Sequence, residues 1–221
     1  MPYQLCASVS FCWVDGRAVF LDTRRDRYFR LAPSTEAIFR ALQDADGQAA
    51  PDVEHLAGLG LVEATADITR PIRAAQAQRP TTSLVDGGPC TAGLKPLTLV
   101  EVGWRLGRAR VGLKGTPLAT TLSRVRDSRP SGTAAAGTPR HRVADLARRF
   151  NTARRRTPFA QACLPDALAL LDFLAGRNAY ADLVFGVRLD PFSAHCWVQA
   201  GDAVLNDAFD PVVAHTPILV V

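Results

Sequence analysis

The stretch Ala194-His195-Cys196-Trp197-Val198-Gln199-Ala200-Gly201-Asp202-Ala203-Val204-Leu205-Asn206-Asp207 decides how the second half of this chain is read. Two β-prone runs flank a Gly-containing turn, which is the pattern of a hairpin. The period of two puts His195, Trp197 and Gln199 on one face, and turns Cys196 to the other as a small apolar filler. If Ala200-Gly201-Asp202 is a three-residue loop, Gln199 faces Ala203 and His195 faces Asp207. A two-residue turn would send Asp207 to the wrong face. Opposed residues lie ~5 Å apart at Cβ, close enough for a carboxylate to hold an imidazole N–H. Upstream, Leu164, Leu168, Leu171 and Leu174 recur at helical spacing, with Pro165 in the first turn and Gly176 as the stop. Cys163 opens that helix, where free N–H groups and the macrodipole favour a thiolate. A lone cysteine is more often packing. With His195 as base and Asp207 fixing its tautomer, Cys163 becomes a candidate nucleophile.

Other residues offer less. Asp210 is a second choice to orient the histidine, but Pro211 beside it suggests a turn. His215 reads as a surface or packing residue, and His55 and His141 receive no role. The five cysteines, at 6, 12, 90, 163 and 196, contain no CxxC, so neither a zinc ribbon nor a redox pair is written and no metal site is expected. Neither GxxxxGK[ST] nor GxGxxG occurs, so no nucleotide site is legible.

The whole chain has 221 residues, 48% of them hydrophobic, enough for a buried core and too apolar for a disordered chain. No apolar run approaches the ~20 residues of a membrane span, and the N-terminus lacks the pattern of a secretory signal. The expectation is a cytoplasmic protein with reduced thiols. A net charge of +5 suggests nucleic acid at first sight, but the charge is segregated. Residues 1–100 are near neutral, 101–160 hold 14 basic against 3 acidic residues, and 161–221 hold 2 against 7. A basic block of this kind is usually a solvated face, and no nucleic-acid partner is expected.

The first sixty-odd residues read as a separate unit. Val9–Val14 and Ala18–Asp22 flank Asp15-Gly16, a hairpin signal, and Arg27–Leu31 forms a third strand. Pro33-Ser34 opens a helix to about Ala45 with a stripe of Ala37, Ile38, Ala41 and Leu42, and a short helix covers about Pro51–Ala57. Three strands with helices in this length suggest a winged-helix-like module over 1–65. Residues 66–96 have linker composition, with Pro71, Pro80, Gly87-Gly88-Pro89 and Gly93. Residues 97–126 read as patchy helix, Ser128–Pro139 as a second flexible stretch, and helix resumes near Val143. The expected fold class is α+β, with a second domain over 97–221.

The runs Cys163-Leu164-Pro165, Leu183-Val184-Phe185-Gly186-Val187-Arg188, Pro191-Phe192-Ser193-Ala194-His195-Cys196-Trp197-Val198 and Val204-Leu205-Asn206-Asp207 resemble the leader peptidases of lasso-peptide biosynthesis, the B proteins. The separations of 32 residues from Cys163 to His195 and 12 from His195 to Asp207 fit that family's triad. The resemblance implies a transglutaminase-like, papain-like cysteine-protease domain. It also implies that residues 1–65 are a precursor-recognition domain related to the peptide chaperone of the pyrroloquinoline-quinone pathway. The implied activity is removal of the leader from a ribosomally made lasso precursor. The implied partners are that precursor and an asparagine-synthetase-like macrolactam synthetase. The Cys163 backbone N–H is the first choice for the oxyanion donor and Gln161 the second. The leader would add as a strand, lined by Tyr28, Phe29 and Arg30 and by Val53 and Leu56 of the short helix, unless Phe29 and Leu56 are simply core. The chemistry requires no cofactor, and the resemblance leaves ATP involvement open. Two departures stand beside the triad: Asp166 where arginine is common, and Cys196 where alanine is common. A carboxylate at Asp166 would oppose the thiolate or satisfy first-turn N–H groups. Acyl transfer to an amine on the same core and a non-catalytic peptide binder are the alternatives.

Overall fold

Asp15 and Gly16 both take positive φ (48° and 74°), the primed-turn geometry whose twist matches two antiparallel strands. They join β2 (Val9–Val14) to β3 (Arg17–Asp22), and β4 (Arg27–Arg30) pairs on the far side of β3. The computed structural model describes residues 1–48, 51–86, 95–129 and 139–221. Gly87-Gly88-Pro89, Gly93 and most of the Ser128–Pro139 stretch lie outside them. The chain divides into two units, Met1–Gln76 and Ala77–Val221, and both mix helix with sheet.

In the first unit, β1 (Tyr3–Leu5) pairs with β5 (Val62–Ala64), and α1 (Pro33–Asp44) and α2 (Val53–Gly58) accompany the three-stranded sheet β2-β3-β4. The core is aromatic: Phe39 meets Phe11 and Phe20 edge-on, with ring centroids 4.8 and 4.9 Å apart. The buried face of α1 is Thr35, Glu36, Phe39 and Leu42. Of the expected stripe, Leu42 is buried and Ile38 packs half-buried against the core, while Ala37 and Ala41 are exposed and Phe39 takes the central place. Glu36 is tolerated in that face because its carboxylate accepts the Ala18 N–H (3.1 Å). The stretch expected as a linker is tied down on both sides of Gln76. Ile72 is buried in the first core and Ala75 N–H bonds Phe11 O (2.9 Å), while Thr82–Ser83 forms a strand of the second unit.

The second unit has a five-stranded sheet, β10-β7-β8-β9-β6, made of Thr216–Val220, Asp182–Arg188, Ser193–Ala200, Ala203–Val204 and Thr82–Ser83. Its helices are α3 (Pro96–Gly115), α4 (Leu118–Asp127), α5 (Arg140–Arg154), α6 (Cys163–Ala175) and the short α7 (Phe209–Val213). The turn Thr116-Pro117 divides the helical region expected over 97–126 into α3 and α4. On α6 the buried residues are Ala167, Ala169, Leu170, Phe173 and Leu174. The leucine stripe is therefore mostly lateral. α6 contacts both the sheet and α3, so small alanines take the closest approach. Among the described residues, no helix is long and apolar enough to cross a membrane.

Part of the basic block pairs with the acidic end of the same chain. Arg105 and Arg108 of α3 meet Asp172 of α6 at 2.5 and 2.6 Å, and Arg177 holds Glu101 at 2.7 Å. The Arg177 hydrogen bond, helped by Arg105, lowers the Glu101 carboxyl below its ordinary range. Arg129 meets Asp182 and Arg140 meets Asp202, at 2.7 and 3.4 Å.

Gly186 of β7 lies opposite His195. A Cβ there would stand 2.8 Å from the Trp197 ring and 2.9 Å from the His215 Cβ, both inside van der Waals contact. Gly186→Ala is therefore expected to destabilise the second unit by about 1–3 kcal/mol through overpacking. Chemical denaturation checks this; an unchanged midpoint would contradict the wedge.

Candidate active site

Cys163 is the first residue of α6, which places its thiol among the unpaired N–H groups of the helix start. It is exposed and opens on a cavity of about 520 Å³ that also holds His195, Asp207, Gln161, Asp166 and Arg154. His195 Nε2–H donates to Asp207 Oδ2 at 2.5 Å. That leaves Nδ1 as the nitrogen facing Cys163, whose sulfur the imidazole hydrogen-bonds.

The charges follow from these contacts. Hydrogen bonds from the Cys196 thiol, the His195 imidazole and the Cys196 backbone hold the Cys163 thiol down at about 4, against burial that would raise it. The Asp207 carboxylate, followed by Cys163, pushes the His195 imidazole up to about 9. Near neutrality the resting state is a thiolate beside an imidazolium.

His195 and Asp207 meet, but not by the expected register. Gln199 pairs with Val204 and Ala200 with Ala203, so Gly201-Asp202 is a two-residue turn with Gly201 at φ 63°. The expected three-residue loop is corrected: in this register a continued ladder would point Asp207 away. The strand ends at Val204 instead. The Asn206 side chain takes the Val198 N–H (2.7 Å), and the chain bends over Leu205–Asp207, returning the carboxylate to the imidazole. Asp207 is then fixed from outside the ladder. Ser83 Oγ–H donates to Asp207 O (2.5 Å), and Asp207 Oδ1 accepts from Ala208 N–H (2.8 Å). Ser83 was illegible in the sequence because a two-residue strand inside linker composition leaves no periodic signal.

Cys196 is the second correction. It sits on the opposite strand face from Trp197, as alternation requires, but that face carries the start of α6, and its buried thiol hydrogen-bonds Cys163. This contact, burial and the nearby charge raise the Cys196 thiol well above its ordinary value, so it stays protonated and donates. His215 is drawn in as well: its ring lies 5.5 Å from that of His195, with Nε2 3.3 Å from Ser193 Oγ and Nδ1 2.6 Å from Pro211 O.

Of the two expectations for Asp166, the structure contains the second. Its Oδ2 accepts the Ala162 N–H (3.4 Å), and Arg154 (2.9 Å) and Arg110 (3.6 Å) neutralise it. Arg154, itself buried, also donates to Thr157 Oγ1, Phe159 O and Ala160 O at 2.9–3.0 Å, clamping the loop that enters α6. Gln161 lies on that loop and lines the cavity.

A second cavity, about 400 Å³, lies in the first unit between β4 and α2, lined by Phe29, Arg30, Leu31, His55 and Leu59 among others. β4 is the edge of its sheet among the described residues. Val53 and Leu56 do not line the cavity; they are 6% and 0% exposed in the core. α2 turns them inward, and His55 and Leu59 form its outward side.

A thiol, an imidazole and a carboxylate gathered where a helix start meets a mostly antiparallel sheet define a thiol–imidazole site of the mixed helix–sheet class. Residues 99–220 match the sequence profile of the Transglutaminase-like superfamily, and the chain belongs to that family. A stretch of 50 residues is 48% identical to the microcin J25-processing protein McjB of Escherichia coli. The match covers 23% of this chain and 24% of that protein. No solved structure matches the chain. Among the described residues, no group of three or more His, Cys, Asp or Glu side chains could hold a metal ion.

Two outcomes check the site. Alkylation of Cys163 by iodoacetamide should hold its rate from neutrality down to about pH 5 and fall only near pH 4, while Cys12, whose thiol burial pushes up to about 12, stays unreactive. A rate falling tenfold per unit below pH 8, that of an ordinary thiol, would contradict the thiolate. Arg154→Met leaves the Asp166 carboxylate without its closest partner and should cost about 3–5 kcal/mol in denaturation, most of it recovered by adding Asp166→Leu.

Proposed function

We propose that this chain is a cysteine peptidase that cleaves the leader from a ribosomally made lasso precursor, with Cys163 as nucleophile, His195 as acid–base and Asp207 as orienting carboxylate. The observation that carries this reading is the meeting of Cys163, at the start of α6, with His195 in one cavity, the imidazole braced by the Asp207 carboxylate at 2.5 Å. The family and the partial likeness to a microcin-processing protein supply the peptide context.

The chemistry follows from the resting charges. The Cys163 thiolate attacks the carbonyl at the leader–core junction, and the His195 imidazolium gives its proton to the leaving core amine. The tetrahedral oxyanion would form beside the Cys163 backbone N–H, unpaired at the helix start, with Gln161 as second donor. Water, deprotonated by the now neutral His195, then releases the leader from the sulfur. None of these steps draws on a cofactor. The free core amine is what an asparagine-synthetase-like macrolactam synthetase would join to an acidic side chain. A thiol kept reduced fits a cytoplasmic setting.

The first unit is proposed as a winged-helix-like recognition module spanning about residues 1–65, which takes the leader as an added strand on the open edge of β4. Main-chain groups would give affinity, and the cavity beside Phe29, Arg30, His55 and Leu59 would give selectivity. Tyr28 stands on the same strand. The protease-like domain would then run over about 97–221.

Incubation with a leader–core peptide tests the reading. Free leader and free core are expected; a conjugate to an added amine would indicate acyl transfer, and intact peptide a binder. Cys163→Ala should abolish cleavage, and cleavage at the wild-type rate would reject the nucleophile. Wild-type kcat/KM should describe a bell with limbs near 4 and 9, falling as the thiolate gains a proton in acid and the imidazolium loses one in base. Asp207→Asn removes the main cause of the raised imidazole value, so the basic limb should move down and kcat/KM fall about a thousandfold or more. Phe29→Ala and Arg30→Ala, made in the full chain, should weaken leader binding by about tenfold each, read by fluorescence anisotropy.

A further inference from the structure

We propose that Arg155 is the anion-reading side chain of the active-site cavity, and that the peptide cleaved there carries a carboxylate side chain close to the scissile bond. Arg155 caps the C-terminus of α5 and lines the same cavity of about 520 Å³ as Cys163, His195 and Asp207. The other arginine and the two carboxylates on the cavity wall already have partners. Arg154 holds Asp166 at 2.9 Å, and His195 holds Asp207 at 2.5 Å. Arg154 is also 7% exposed and donates to Thr157 Oγ1, Phe159 O and Ala160 O, so its terminal N–H groups are committed. Arg155 stands one residue on and is exposed, and among the described residues its guanidinium meets no carboxylate, carbonyl or hydroxyl.

A cation at a helix C-terminus is favourable in itself, and a purely capping role would set the guanidinium on the last carbonyls. Here the backbone makes that bond instead, Arg155 N–H donating to Asn151 O at 3.1 Å, and the side chain is left to the cavity. Its neighbours hold the wall in place. Phe150 is 1% exposed, Asn151 Nδ2 donates to Leu205 O at 2.7 Å, and Arg154 clamps the loop that follows. Arg155 is therefore fixed at its backbone and free at its head. A guanidinium presents parallel N–H groups that a carboxylate accepts in bidentate fashion, which an amide of the same shape does not match in charge. Walls on several sides also screen the contact less than open water would. The identity of the ligand as a substrate side chain rests on the reading of this chain as a peptidase; the preference of the cavity for anions does not.

Two measurements on the full chain test this. The first needs no peptide: Cys163 is alkylated by iodoacetate, which carries a carboxylate, and by iodoacetamide, its neutral counterpart of similar size. Arg155→Gln should lower the iodoacetate-to-iodoacetamide rate ratio by about threefold, and Arg155→Lys should keep it. An unchanged ratio, or an equal loss with both reagents, would overturn the anion subsite. The second compares synthetic leader–core peptides carrying Glu or Gln at successive positions around the junction, each made with a free and with an amidated C-terminus. Wild-type kcat/KM should favour Glu by about tenfold at one position in both forms. Arg155→Gln should erase that preference, and Arg155→Glu should favour Lys there. No preference at any position, or one that survives Arg155→Gln, would overturn the proposal. A preference seen only with a free C-terminus would assign Arg155 to the terminal carboxylate and overturn its role toward a side chain. If the alkylation ratio responds to Arg155→Gln and no peptide is cleaved, the peptidase reading falls and the anion subsite beside Cys163 stands.

Discussion

The second unit is organised around one negative charge on sulfur at the start of a helix. Water would not hold a thiolate at neutral pH, so the fold must supply what water does not. The helix start contributes oriented N–H groups, Cys196 contributes an S–H, and His195 contributes a cation that Asp207 keeps charged. These groups come from α6, from β8 and from the bend after β9. Holding them together requires α6 to sit closely on the sheet, and its small buried residues Ala167 and Ala169 permit that approach.

The arginine-rich segment takes its meaning from the same requirement. Arg105 and Arg108 hold the middle of α6 through Asp172, while Arg154 and Arg110 hold its first turn through Asp166. A carboxylate one turn from the thiolate would be a repulsive neighbour if left bare. Paired with two guanidinium groups, it instead ties the entering loop to the helix and limits the electrostatic cost to Cys163. The segregation of charge along the chain thus becomes complementarity between neighbouring helices.

The strands β2, β3, β4, β7 and β8 and most helices were legible because each carries its own period, and because Asp15-Gly16 and Pro33 punctuate the chain at their ends; β1, β6 and β10 were not. The residues around Cys163 were legible through chemistry, since a thiol at a helix start and a histidine on a strand are each suggestive. The route by which Asp207 reaches His195 was not. It depends on a two-residue turn, on Asn206 replacing a ladder partner, and on Ser83 arriving from a distant segment. None of these leaves a periodic mark. Cys196 was misread because alternation gives the face of a strand but not what packs on that face. Val53 and Leu56 were misplaced for a similar reason: a six-residue helix offers too few positions to tell its inner side from its outer.

The open edge of β4 has a consequence for how the protein behaves at high concentration. An edge that can accept a peptide strand can equally accept the same edge of another copy, which is the usual beginning of sheet-to-sheet aggregation. Tyr28 and Phe29 would favour such pairing, but the strand is only four residues long and begins and ends in exposed arginines, Arg27 and Arg30. Two such edges brought together antiparallel would oppose like charges at both ends. Shortness and terminal charge thus oppose pairing of this edge with its own copy.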